Sequence, residues 1–179
     1  MMRKRVLSGL AALVLIVALV YWFTVVKHRQ VPEWWPKHPS PEFQRAAQVI
    51  KPGLPEAAER AAANRAQTVA DKAYYRSLPA AWVLFGALSD EQIRHFRSAG
   101  KIALPVTSLT ATQRGALDRL FATNQAWLTE LRTFGATEDL SNVEVAFDVR
   151  RSGIVRMMLR VRQPGGGTSP PVPIGLGHI

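Results

Sequence analysis

The pattern of apolar and polar positions changes character along the chain. Residues 6–26 read VLSGLAALVLIVALVYWFTVV, an uncharged run of 21 residues, about the length a helix needs to cross a hydrocarbon core of roughly 30 Å. Beyond it, apolar positions recur at helical spacing, and from residue 142 they alternate with polar ones at the period of a strand. The pattern predicts an α+β chain with an N-terminal transmembrane helix, a Pro-rich stalk, a small mostly helical domain ending in a β-hairpin, and a disordered C-terminal tail.

Punctuation sets the helices. Residues 42–50 predict a short helix that stops before Lys51, Pro52 and Gly53. Pro55 suits a first helical position and Glu56 and Glu59 suit the positive end of a helix running to about Tyr75 or Ser77. The run AAWVLFGAL at 80–88 is core, but it is too short for periodicity to separate helix from strand. Ser89 with Gln92 and Thr110 with Gln113 have the form of capping boxes. The first opens a helix to about Ser98 that stops at Gly100. A Leu-Pro connection follows, and the second box opens a helix that puts Leu117, Leu120, Phe121, Leu128 and Leu131 on one face and ends near Phe134 and Gly135.

Residues 142–162 give the sharpest expectation. Both arms alternate at period two around Arg151, Ser152 and Gly153, a three-residue loop whose last position is the glycine that a left-handed turn residue favours. Closing the turn with Arg150 opposite Ile154 sets Val149 against Val155, Phe147 against Met157, Val145 against Leu159 and Val143 against Val161. On the other face it sets Asp148 against Arg156 and Glu144 against Arg160. A lone hairpin is marginal in water, so its apolar face must rest on the helices, on another copy, or on a third strand, for which 81–88 is a candidate.

The organisation expected is therefore a cytoplasmic flank (1–5), a transmembrane signal anchor (6–26), a stalk (27–41) with four prolines between 31 and 41, an α+β domain (42–163) and a Gly/Pro tail (164–179). The apolar run ends in the bulky Tyr21, Trp22 and Phe23, which argues against signal-peptide cleavage. Tyr21 and Trp22 suit the membrane interface; Trp34 and Trp35 suit either the same head-group layer or the core. Arg3, Lys4 and Arg5 crowd the near end of the run, so the N-terminus is expected in the cytoplasm and the domain in the periplasm or outside the cell. No glutamate stands early in the run, and Pro32 and Pro36 interrupt the segment after it, which excludes a pilin-type long helix.

Charge and chemistry narrow the function classes. The chain carries 23 Lys and Arg against 13 Asp and Glu, a formal +10; setting aside Arg3, Lys4 and Arg5 leaves 20 against 13, or +7. Such a domain is drawn to anionic lipid or polymer in a salt-dependent way. Arg150, Arg151, Arg156, Arg160 and Arg162 outnumber Glu144 and Asp148 on the hairpin and form a candidate anion-binding face. With no cysteine, disulfides, thiolate metal sites and cysteine nucleophiles are excluded. His28, His38, His95 and His178 stand at no metal-ligand spacing. The S-x-x-K of Ser98 and Lys101 lacks its companion motifs, and Gly100 should end the helix that must present the lysine. No catalytic residue, metal or cofactor is expected. The sequence points to a structural or interaction protein of a bacterial envelope, not an enzyme. Its expected partners are the membrane and a protein or a second copy, with an anionic lipid or polymer as the alternative ligand; nucleic acid is not expected.

Overall fold

The structure is a computed structural model, which describes Ile16, residues 34–52 and residues 69–179, with the backbone alone for 69–72. The predicted span at 6–26 apart from Ile16, the interface aromatics Tyr21 and Trp22, residues 27–33 of the stalk, and the helix expected from Pro55 as far as residue 68 lie outside the described residues. Among those residues, no helix is long and apolar enough to cross a membrane.

Residues 34–179 form one compact unit. Its elements are α1 (Pro41–Ala47), α2 (Val69–Gly86), α3 (Asp90–Ala99), β1 (Lys101–Pro105), a 3₁₀ turn at Val106–Ser108, α4 (Ala111–Thr123), α5 (Gln125–Thr133), β2 (Val143–Val149), β3 (Ile154–Val161) and β4 (Val172–His178). The strands form one antiparallel sheet in the order β1-β2-β3-β4. The α+β class stands, with five helices and four strands among the described residues.

The caps behave as the sequence requires. Ser89 and Thr110 each accept from the backbone N–H of the third helical residue, and Gln92 and Gln113 reach back to the cap N–H. Gly100, at φ +68°, ends α3 in the left-handed region. The hairpin register matches the expected one at every pair from Val143↔Val161 to Val149↔Val155, and Gly153 takes φ +81°. The helix expected over 110–134 is interrupted: Asn124 takes φ −138° and ψ 85°, separating α4 from α5 and allowing Trp127 and Leu131 to turn into the core.

One open reading is settled and two expectations are corrected. The run 80–88 is not a strand: residues through Gly86 continue α2, because Ala81, Trp82, Leu84 and Phe85 are each fully buried and a helix satisfies its own backbone there. The Leu-Pro connection after Gly100 is strand β1, whose Ile102 and Leu104 pair with Phe147 and Val145. The tail at 164–179 is not disordered. Val172, Ile174 and Leu176 are buried and β4 pairs with β3, so the Gly/Pro composition that lacks a core of its own borrows one from the sheet.

The core lies between one face of the sheet and the helices. Phe147 of β2 meets Phe85 of α2 at 5.2 Å between ring centroids, and Phe85 meets Phe96 of α3 at 5.1 Å. Both sheet edges are restrained. β4 is covered by α2, where the Tyr74 hydroxyl donates to the Gly175 carbonyl (2.9 Å) and Trp82 Nε1 to that of Leu176 (3.0 Å). Its last residues pair with the segment after α1: Lys51 N donates to His178 O (2.6 Å) and His178 N to Lys51 O (2.8 Å). β1 is only five residues long, with Lys101 and Pro105 at its ends, a composition that discourages edge pairing.

Candidate functional site

The hairpin arginines do not form one face. Arg156 and Arg160 stand on the sheet surface opposite the core, in register with Asp148 and Glu144. Arg156 is held by Asp148 through Nε–Oδ1 at 2.9 Å and a second contact from its terminal nitrogen to Oδ2. That bidentate pair neutralises both charges. Glu144 and Arg160 face each other in register without forming an ion pair; the Arg160 guanidinium instead lies 3.4 Å from the Met158 sulfur. Arg162, past the far end of β3, donates to the Ser141 carbonyl at 2.9 Å. Arg150 and Arg151 are exposed in the turn at the other end. The eight residues of β3 put roughly 26 Å between those two ends.

The turn end has gained bases that sequence reading missed. His178 pairs with both Lys51 and Ile154, and Arg150 N donates to Ile154 O at 2.9 Å, so Lys51 is carried to the arginine turn from about a hundred positions away. Lys101 begins β1 at the same end, next to Gly100, whose carbonyl accepts from Val149 N at 2.8 Å. Lys51, Lys101, Arg150 and Arg151 are all exposed, and none forms an ion pair with a described residue; the pairs that do form are Arg45–Asp90 and Arg156–Asp148. No local motif signals this grouping, because it depends on β1 and β4 joining the sheet.

At the opposite end, an open basin of about 890 Å³ lies between the α5–β2 and β3–β4 connections. Several of its polar groups are occupied in holding those loops. Asn142 Oδ1 accepts from Thr137 N (2.9 Å) and its Nδ2 donates to Gly135 O (2.9 Å), while Gln163 Nε2 donates to Phe134 O (3.2 Å). Asp139 accepts from Ser141 N (3.0 Å) and the Thr137 hydroxyl (2.8 Å). These bonds, led by the one from Ser141 N, hold its carboxyl down at about 2 by favouring the anion. Between them Leu140 takes φ +58° with its side chain buried. A smaller cavity of about 370 Å³ beside α1 is lined by Glu42, Arg45, Thr110 and Thr112, and there Arg45 is engaged by Asp90.

The remaining chemical candidates stay apart. His38, His95 and His178 sit on separate elements, and no described group of three His, Asp or Glu could hold a metal ion. Gly100 separates Ser98, at the end of α3, from Lys101 in β1; the serine hydroxyl donates to His95 O at 3.0 Å. No buried side-chain polar atom among the described residues lacks a partner, so none marks a ligand position.

Trp34 and Trp35 are half-buried, and their alternative reading as core-packing residues is the one observed. Their rings lie 5.4 and 5.3 Å from that of Trp82, and Trp35 meets Phe43 edge-on at 4.7 Å. The chain entering the domain is therefore fixed to it at residue 34. In comparisons with protein families, curated proteins and solved structures, the chain matches none.

Proposed function

We propose that this chain is a single-pass membrane-anchored structural or interaction protein of a bacterial cell envelope, acting as part of an assembly, with its N-terminus in the cytoplasm and its domain on the far side of the membrane. The observation that carries the reading is the uncharged 21-residue run at 6–26, followed after seven residues by the start of the compact unit at Trp34. Support comes from Thr137, Asn142 and Gln163 at the larger cavity and Arg45 at the smaller, which are occupied in holding loops and helices rather than converging on an open position.

Crosslinking of the tagged chain in its native membrane tests this. Discrete self-crosslinks or a fixed set of attached proteins are expected. A chain that stays monomeric and unattached overturns the assembly reading.

A second reading is a membrane-tethered module for an anionic ligand. It is favoured by the exposed Arg150 and Arg151, which have no acidic partner among the described residues. Arg156 and Arg162 contribute less to it, being committed to Asp148 and to the Ser141 carbonyl.

A further inference from the structure

We infer that the turn end of the sheet, carrying Lys51, Lys101, Arg150 and Arg151, docks on anionic lipid head groups of the bilayer in which the chain is anchored. The inference rests on the anchor proposed above and names the surface that the anchor brings to the lipid.

Two independent observations meet at this end. The first is charge. Four exposed bases from three separate parts of the chain collect where Asp148, the nearest acid in register, is already taken by Arg156. The second is where the tether enters. Trp34 and Trp35 pack on Trp82, whose Nε1 bonds Leu176 O, two residues before His178 in β4; His178 in turn pairs with Lys51. The clamp that fixes residue 34 is thus joined through β4 to the basic end rather than to the basin end. Residues 27–33 are all that separates the apolar run from that clamp, and seven residues reach at most about 25 Å. So short a tether holds the domain at high effective concentration over the surface, and weak contacts suffice for docking. Near an anionic leaflet each basic residue shifts the partition by roughly five-fold, an effect that fades within about a Debye length of 8 Å. Four bases together favour the docked orientation by roughly several hundred-fold at low salt.

The absence of cysteine makes a unique label simple. The full chain carries a fluorophore on Ser152→Cys in the basic turn or, as the control, on Gly165→Cys, where an added Cβ meets open space at the basin end. Each is reconstituted in phosphatidylcholine vesicles with or without phosphatidylglycerol, both doped with a lipid spin-labelled at the head group. Quenching of the Ser152→Cys label is expected to rise several-fold with phosphatidylglycerol and to fall in molar salt. It should also fall when Lys51, Lys101, Arg150 and Arg151 are changed together to Gln, while the Gly165→Cys label stays bright throughout. Equal quenching of the Ser152→Cys label in both vesicles, or equal quenching at both label positions, overturns the docking. Flotation with pure phosphatidylcholine vesicles after a carbonate wash reads the anchor alone. A chain that floats without lipid-dependent quenching loses the docking and keeps the anchor, whereas a chain that fails to float loses both. Because salt acts on the unsubstituted surface, a folding defect in the four-residue variant does not decide the result.

Discussion

Two glycines and one aspartate show how much the domain depends on single positions. A methyl group at Gly86 would overlap the Glu42 carbonyl, so the end of α2 lies against α1 only because no Cβ intervenes. Gly177 is tighter in a second sense: its φ is +153°, and a Cβ there would run into the Lys51 carbonyl and the Ile50 side chain. Gly177→Ala should therefore break the Lys51–His178 bridge and cost about 1–3 kcal/mol. Thermal unfolding in detergent would show this as a lowered midpoint; an unchanged midpoint would mean that β4 does not close against residue 51. Asp139 sets a pH dependence. Its carboxyl sits at about 2 in the fold against an ordinary 3.8, so between these values the unfolded chain binds the extra proton and stability rises with pH. The contribution is complete above about pH 4 and lost as pH falls through about 2. In acid melts, Asp139→Asn should flatten that part of the profile without altering the rest. The glycine constraints are silent in the sequence, because each is imposed by a backbone more than forty positions away.

Among the elements, legibility follows how local the determinant is. The hairpin could be read residue by residue, because its turn and its period-two faces lie within twenty-one positions and a slip of one residue would turn Val145, Phe147 and Met157 outward. The two capping boxes were equally local. β4 was not legible, although Val172, Ile174 and Leu176 alternate correctly. Pro173, Gly175 and Gly177 weaken any intrinsic strand preference, and only the exposed edge of β3 and the donors of α2 make the strand stable. Truncation before Val172 separates the two views. Burying three aliphatic side chains is worth about 5–8 kcal/mol, comparable with the whole stability of a small domain. The truncated chain should unfold or self-associate through β3, visible by circular dichroism and size-exclusion chromatography in detergent; a disordered tail would be removable without loss.

For the whole molecule, the arrangement of charge matters more than its amount. The excess of bases is a fact of composition, and five hairpin arginines suggested one anion-binding face. The sheet distributes them over two ends and a surface, neutralises Arg156 against Asp148, and collects Lys51 and Lys101 beside Arg150 and Arg151 instead. The candidate site legible in the sequence was thus the turn alone, and its remaining members were supplied by strand pairing. Trp34 and Trp35 likewise gain a place only from the fold, since a tryptophan pair after an apolar run suits lipid or core equally until Phe43 and Trp82 are found packed beside it. The sequence by itself determined the two capped helix starts, the hairpin register and the α+β class, because caps, turns and alternation act over a few residues. Only the tertiary structure decided that 80–86 is helix, that the Gly/Pro tail is a strand and that the basic end exists. Each of those depends on a partner distant in the chain, and the free energy that fixes it comes from burial and backbone pairing formed only when the parts meet.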